Sequence, residues 1–413
     1  MHSWPHTRRY LAFECRRIWQ QGLLRILWKI LRHLLSAALW FLLLPLTLAL
    51  HAIGYRRVNV FTDRIGHLAI EPDCLLKAQA LGRIRAYRWL LLAPPARVAN
   101  QHLLAYWKQH MHVMQHPWLC FIVGSMSRCM FMQYDVSRYI RASNTAQEAY
   151  EIHARWGPRA PLLSLTPDDE AWSRRMLEQL GLPKGAWFVC VHARETGFST
   201  VDDELHSHRN GNIAATIPAM QEIVRRGGWV IRIGDPAMQE LPAMAGVIDY
   251  AHHPLKCDRL DVILCAKARF ILGNSSGIAL VGKVFGAPCA IANMIPAPDL
   301  WFGTRDLCIP KLLWSIKLGR HLRFAEAMSL PVGGFRYASL YQEAGLVVQE
   351  NTTGEILELT QEMLARLDAD FKDTVEDTER AKALARLRTD GHYAYASASR
   401  TGALFLRRHA DLC

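Results

Sequence analysis

The stretch that decides the fold runs from Trp187 to Asn293. It holds three apolar runs, WFVCV (187–191), WVIRIG (229–234) and ARFILG (268–273). Each run gives way to polar or small residues. The first ends in His192-Ala193-Arg194-Glu195, the second at Gly234-Asp235, and the third in Asn274-Ser275-Ser276-Gly277. Short apolar runs bounded by turn residues read as strands buried on both faces. Between them, 213–226 and 258–267 carry helical spacing, and Gly227-Gly228 stops the first. A further helix, 278–285, ends at Gly286-Ala287-Pro288, and CAIAN (289–293) is the next strand. Strands and helices alternating at this spacing predict an α/β fold with a doubly wound parallel sheet. Ligands of such sheets bind at the carboxyl ends of the strands. An Arg, an Asp and a Ser-Ser-Gly turn at three strand ends therefore predict a site for a phosphorylated ligand, in first place a nucleotide.

Each of these residues also has a plainer reading. Asn274, Ser275, Ser276 and Gly277 form a strand-to-helix turn whose N–H groups and hydroxyls suit a phosphate; simple N-capping would explain the same residues. Arg194 offers a planar, permanently charged fork for a diphosphate; its alternative is an ion pair with Glu195 or Asp235. Asp235 suits a base or ribose hydroxyl, or caps the turn that begins at Pro236. In the loop that follows the first strand, Arg209 and Asn210 add a second cation and a polar partner. The same loop carries Asp202, Asp203, Glu204, His206 and His208. These acids could hold a divalent metal, supply a general base, or form a solvated loop.

Upstream, VNVFTD and HLAIE flank the turn Arg64-Ile65-Gly66 and predict two short strands over 58–71. Gly66 there permits either an unusual backbone angle or a close approach. Residues 73–161 read as mixed α/β. His110, His112 and His116 do not share one helical face and lack a nearby carboxylate, so they read as structural rather than metal-binding. Thr166-Pro167-Asp168-Asp169 opens a helix, with a capping hydroxyl, a proline at the first position and acids on the helix dipole. Capping accounts for those acids.

The front of the chain differs in kind. Residues 34–53 are apolar almost throughout and about long enough to span a bilayer, with Pro45 placed to bend them. Before them, residues 10–32 space apolar side chains at helical intervals opposite Arg and Gln, a basic amphipathic helix suited to an anionic membrane surface. Arg56, Arg57 and Arg64 follow the apolar run, so both flanks are basic and the cytoplasmic side is expected. A single span and a kinked re-entrant anchor both fit; a buried core helix is the plainer alternative, and a cleaved signal peptide fits less well because the basic stretch is long and no A-x-A site follows.

The bulk numbers agree. The 413 residues exceed one core, 51% are hydrophobic and 21% charged, and the net charge is +12. Zinc-finger spacing, an RNP box and a basic tail are all missing, which argues against nucleic acid as a partner. The 10 Cys form no C-x-x-C pair, and Cys190 and Cys265 read as buried thiols in a reducing compartment.

In order, H-x-R after a strand, G-D after a strand and a G-x-S-S turn before a helix resemble the fucosyltransferases of the GT-B fold. The longer text V-H-A-R-E, H-S-H-R-N, G-G-W-V-I-R-I-G-D, V-I-D-Y-A-H and A-R-F-I-L-G-N-S-S-G is similar to a group of bacterial glycosyltransferases. The resemblance is strongest from about Phe188 to Asn293. It implies two Rossmann-like doubly wound domains facing a cleft, with Arg194, Ser275 and Ser276 on the donor diphosphate and Asp235 toward the nucleoside. Such enzymes generally need no metal or other cofactor. Glu195 departs from the fucosyltransferase box, so fucose is not carried over as the donor sugar.

The expected organisation is a membrane anchor (1–54), an acceptor domain (55–182), a nucleotide-sugar domain (183–330) and C-terminal helices packing back on the first domain (331–413). The expected function is transfer of a sugar from a nucleotide-diphosphate donor to a glycan or lipid-linked acceptor, at the cytoplasmic face of the inner membrane. A base is needed for the acceptor hydroxyl, and Glu195, Asp203 and His192 are the candidates. Two other readings compete: a non-catalytic nucleotide-binding or scaffold protein on the same fold, and a dinucleotide enzyme, which the lack of a G-x-G-x-x-G after a strand disfavours.

Overall fold

The computed structural model describes residues 23–139, 147–196, 205–297, 301–388, 392 and 394–413. It opens with helices α1 (Leu23–Leu42) and α2 (Leu44–Ala52). Pro45 sits in the first turn of α2, where its missing N–H costs no hydrogen bond. The pair bends by 61° at this break. Among the described residues no single helix is long and apolar enough to cross a bilayer, whereas the bent pair together reaches that length and composition. The described part of α1 covers the end of the stretch read as amphipathic and continues into the apolar run without a boundary.

The first sheet follows: β1 (Tyr55–Val58), α3 (Ile65–Ala80), β2 (Arg88–Leu92), α4 (Gln101–Trp107), β3 (His112–Met114), α5 (Pro117–Ser125) and β4 (Gln133–Tyr134). Its four strands are parallel in the order β3-β2-β1-β4. The strand expected over HLAIE is instead the first half of α3. Gly66 and Pro72 argue against a helix in sequence, yet the fold accommodates both. Pro72 cannot bond the carbonyl of Leu68; the indole Nε1 of Trp107 donates to that oxygen at 2.8 Å in its place. Burial of Leu68, Ala69, Ile70, Cys74 and Leu75 then holds the helix against the sheet.

Helices α6 (Gln147–Trp156) and α7 (Pro167–Gln179) lead to the second sheet. The Thr166 hydroxyl accepts the N–H of Asp169 at 3.1 Å, the cap expected there. The acids of α7 do more than cap. Asp169 accepts from Arg259 Nε at 2.7 Å and from His102 Nε2 at 3.1 Å, and Glu170 pairs with Lys267 at 2.6 Å.

The second sheet comprises β5 (Phe188–Val191), α8 (Ile217–Arg225), β6 (Trp229–Arg232), β7 (Val247–Asp249), α9 (Asp258–Lys267), β8 (Ile271–Gly273), α10 (Ile278–Val284), β9 (Cys289–Met294) and β10 (Leu307–Pro310). A small antiparallel sheet is then added by β11 (Leu312–Ser315), β12 (Arg320–His321) and β13 (Leu346–Gln349), with helices α11 (Phe324–Met328) and α12 (Ala338–Glu343) between. α13 (Thr353–Leu367), α14 (Val375–Arg386), β14 (Arg400–Thr401) and α15 (Ala403–Arg408) close the chain. The large sheet is parallel in the order β14-β10-β9-β8-β5-β6-β7. Its two halves wind outward from the β5–β8 seam, which makes that seam the switch point where a ligand-binding crevice opens.

The two sheets share one apolar core, and α3 packs along α10. At the start of both helices the backbones touch. A Cβ on Gly66 would lie 2.7 Å from the Cα of Gly277, so of the two roles expected for Gly66 the close approach is the one realised. The last helix differs from expectation. Phe405 and Leu406 of α15 bury against the cluster of Leu359 and Met363 on α13, within the second sheet's own core. The segment before it, at Ala394 and Ala396, is what joins the core shared with the first sheet.

Candidate active site at the seam of the two sheets

A cavity of about 500 Å³ opens where the carboxyl ends of β5, β6 and β8 face the start of α3. His192, Arg194, Glu195, Arg209, Asp235, Ser275, Ser276 and Gly277 all line it. Residues from distant parts of the sequence are thus brought together as expected. Asn210 and Asn274 stand behind the lining: the Asn274 Oδ1 accepts the Arg194 N–H at 2.9 Å, and the Asn210 Oδ1 accepts from the Arg194 guanidinium. Their role is to aim Arg194. Asp202, Asp203 and Glu204 lie outside the described residues.

Arg194 spans from its strand end to the 205–210 loop, donating from Nη1 to the carbonyl of His206 at 3.1 Å. Arg209 returns across the same gap and donates to the Ser275 carbonyl at 2.6 Å. Two guanidinium groups are therefore tied to the β5 and β8 ends by their own loop. Lys311, buried behind them, donates to the Asn210 carbonyl at 2.6 Å, and burial lowers its pKa to about 8.

The helix starts complete the electrostatics. The first turn of any helix leaves N–H groups unpaired and partial positive charge exposed. The starts of α3 and α10 both lack a side-chain cap, and neither has an acid in its first turn. Both meet at Gly66 and Gly277 on the cavity wall. Plain N-capping by Ser275 or Ser276, the simpler reading of the turn, is thus absent.

His192 is nearly buried. Its Nδ1 lies 3.0 Å from the Ile233 carbonyl, which can only accept, so the proton sits on Nδ1. Nε2 then accepts from the Ser276 hydroxyl at 2.9 Å. Burial, and after it the charges of Arg232, Arg194 and Lys256, holds the imidazole neutral with a pKa of about 4. With both nitrogens engaged, His192 orients the turn and is not placed to take a proton. Ser276 in turn shows the cavity its lone pairs, so it complements a donor group rather than an anion.

Glu195 is also committed. Its Oε2 accepts the Gln239 N–H at 3.0 Å and lies 3.6 Å from the guanidinium of Arg232, which is fully buried and paired with Asp249 at 3.1 Å. A buried arginine needs that carboxylate, which explains Glu195 without chemistry. Asp235 accepts the Ala237 N–H at 2.9 Å, so the turn cap is present, and it lines the cavity as well.

The first sheet supplies residues that the sequence reading passed over. Arg64, His67 and Asp63 line the cavity from the start of α3. His67 Nδ1 and the buried Glu71 Oε1 are 2.6 Å apart, one helical turn along. Glu71 also accepts the Phe61 N–H at 3.3 Å. Burial raises the Glu71 pKa, opposed by these hydrogen bonds. The signal lay in the i, i+4 spacing of His67 and Glu71, which brings them together only if the segment is helical. Lys256 and Asp261, paired at 2.8 Å, and Arg336 complete the polar wall. No cluster of three His, Cys, Asp or Glu with metal-binding geometry occurs among the described residues.

Neither a family model nor a curated protein sequence matches the chain. Several solved structures are similar. A glycosyl transferase family 9 protein from Veillonella parvula is 9% identical over 58% of this chain and 80% of that one, with a TM-score of 0.37. The ADP-heptose LPS heptosyltransferase II of E. coli is 12% identical over 76% and 99%, with a TM-score of 0.42. The E. coli heptosyltransferase WaaC with ADP is 10% identical over 62% and 90%, with a TM-score of 0.33. These likenesses are distant, and the chemistry of the cavity is carried by its own side chains.

Proposed function

We propose that the protein is a membrane-associated glycosyltransferase, taking a sugar from a nucleotide-diphosphate donor and passing it to a glycan or lipid-linked acceptor of a surface polysaccharide or glycolipid. The observation that carries this reading is the meeting of two uncapped helix starts, at Gly66 and Gly277, on a cavity also lined by Arg194 and Arg209. That arrangement concentrates positive charge and N–H donors at the switch point of a parallel sheet. A diphosphate leaving group gains negative charge as the glycosidic bond breaks, and preorganised donors stabilise that charge most strongly in a site shielded from water. On this reading Arg194, Arg209 and the helix starts neutralise the leaving group without a metal. Asp235, at the end of β6 on the same cavity, is assigned to the nucleoside.

The membrane part of the proposal rests on the first domain. Trp28, Leu34, Phe41 and Leu42 of α1 are exposed, and so are Trp118 of α5 and Met130. α1 packs on α5, with Arg32 over the Phe121 ring, so these side chains belong to one flank. An apolar flank of this extent with basic margins suits an anionic bilayer surface on its cytoplasmic side.

Thermal unfolding with GDP, UDP, ADP, CMP and NAD tests the donor site. Stabilisation by a nucleoside mono- or diphosphate is the expected result. Stabilisation by NAD alone, or by none of the five, would refute the proposal.

A further inference from the structure

We infer that His67, backed by Glu71, is the base that accepts the proton of the acceptor hydroxyl; this rests on the glycosyl-transfer reading of the same cavity. Three observations carry it. First, the pair is built for proton transfer. The Phe61 N–H donates to one oxygen of the Glu71 carboxyl and the imidazole Nδ1 lies 2.6 Å from the other, so an ionised Glu71 fixes the His67 proton on Nδ1. Nε2 keeps its lone pair, and it has no partner among the described residues. Glu71 itself is fully buried and cannot reach the ligand, so it acts only through His67.

Second, position. His67 follows Gly66, whose backbone touches Gly277, and Gly277 follows Ser276. The imidazole therefore lines the cavity from the first-sheet wall, one residue beyond the contact with the turn assigned to the diphosphate. A base on that wall serves direct displacement when the anomeric carbon lies between it and the leaving-group phosphate. Third, Glu195 and His192, the base candidates among the described residues of the second-sheet wall, are occupied. Glu195 is held by Arg232 and Gln239, and His192 uses both ring nitrogens.

The step balances as follows. His67 Nε2 takes the hydroxyl proton, and the freed oxygen pair bonds to the anomeric carbon. The bond from that carbon to the phosphate oxygen breaks, and its electrons leave on the nucleoside diphosphate. Direct displacement of this kind inverts the anomeric configuration. His67 is then a catalytic residue and Glu71 a positioning one, which stabilises the imidazolium as it forms.

The test uses the full chain and measures nucleoside diphosphate released from UDP-, GDP- and ADP-sugars with water as the acceptor, alongside calorimetric binding of UDP, GDP and ADP. His67→Asn should bind the nucleotide as wild type does and slow release by about 100-fold or more. Glu71→Gln, which still accepts from Nδ1, should lower kcat while leaving KM for the donor unchanged. Release by His67→Asn at the wild-type rate overturns the assignment and leaves the glycosyltransferase reading standing. Equal loss of binding and turnover makes His67 a binding residue and also overturns it. A wild-type chain that neither binds nor cleaves any of the three ends the reading beneath it. Carbethoxylation followed by peptide mass analysis gives a readout independent of turnover. His67 should react readily and His192 should not; the reverse order contradicts the open Nε2.

Discussion

The two sheets reach the same parallel architecture by different means. In the seven-stranded sheet the strands themselves are the core: Phe188–Val191, Ile271–Gly273 and Cys289–Met294 are buried along their whole length. Its polar residues wait at the strand ends, where the cavity lies. In the four-stranded sheet the strands are short and a helix carries the burden. α3 buries Glu71, Asp73 and Lys77 together with its apolar residues, and it contributes His67 to the cavity. The second sheet is thus a scaffold with a site at the ends of its central strands. The first is a helix whose interior charges and site residues are one continuous structure.

That difference makes unequal demands on substitution. Asp73 is fully buried, paired with Lys77 at 2.7 Å and with His153 at 3.2 Å. Lys77→Met should cost about 3–5 kcal/mol, because it strands a buried carboxylate. The exposed pair Lys382–Glu379 of α14 should tolerate Lys382→Met within about 0.5 kcal/mol. Chemical denaturation of both variants measures the contrast; equal losses would break it.

The seam itself comes next. Gly66→Ala places a methyl group 2.7 Å from the Gly277 Cα, where backbone must move. A loss of about 3 kcal/mol is expected, together with loss of nucleotide-induced stabilisation. Gly124 is the control, since its added Cβ would meet only Leu92 Cδ1 at 3.8 Å. Gly124→Ala, in a helix, should be neutral or stabilising by about 0.5–1 kcal/mol. Similar melting shifts for the two alanines would argue against contact across the seam.

Acid sensitivity sharpens the comparison further. His192, with its pKa lowered to about 4, is neutral when folded but takes up a proton near pH 6.5 when unfolded. The unfolded state therefore binds more protons between those values, and stability falls as pH drops from 6.5 toward 4. His192→Asn, which keeps a donor and an acceptor, should flatten that decline by up to about 3 kcal/mol. Denaturation midpoints from pH 7 to 4 would show it; an unchanged slope would place the acid sensitivity in the first sheet, where burial likewise lowers the pKa of His153. The smallest effect on stability belongs to the exposed flank. Trp118→Ser with Met130→Ser should leave unfolding within about 0.5 kcal/mol of wild type but reduce flotation with phosphatidylglycerol vesicles. Undiminished flotation would confine membrane contact to α1 and α2.

The same contrast explains what was legible in the sequence. FVCV, WVIR and CAIANM announce buried strands because no charge except Arg232 interrupts them, and Arg194, Asp235 and Ser275-Ser276 stand out at their ends. α3 was hidden for a physical reason. Its buried Glu71, Asp73 and Lys77 break the apolar period, and Gly66 and Pro72 oppose a helix until Trp107 supplies the bond that Pro72 cannot make. Read as a strand, residues 67 and 71 lie about 13 Å apart, so the His67–Glu71 pair could not be seen. The cap on α7 was legible, whereas its ion pairs to Arg259 and Lys267 depend on partners 90 and 97 residues away.

The central claim is that the seam at Gly66 and Gly277, with Arg194, holds the diphosphate of a nucleotide. Calorimetric titration of the wild type and of Arg194→Ala with a nucleoside, its monophosphate and its diphosphate, in the guanosine, uridine and adenosine series, tests it most directly. In one series affinity should rise with each phosphate, and Arg194→Ala should abolish the gain from the second phosphate while the chain remains folded. Affinity that is indifferent to phosphate number, or a diphosphate that binds Arg194→Ala as tightly as wild type, would contradict the account.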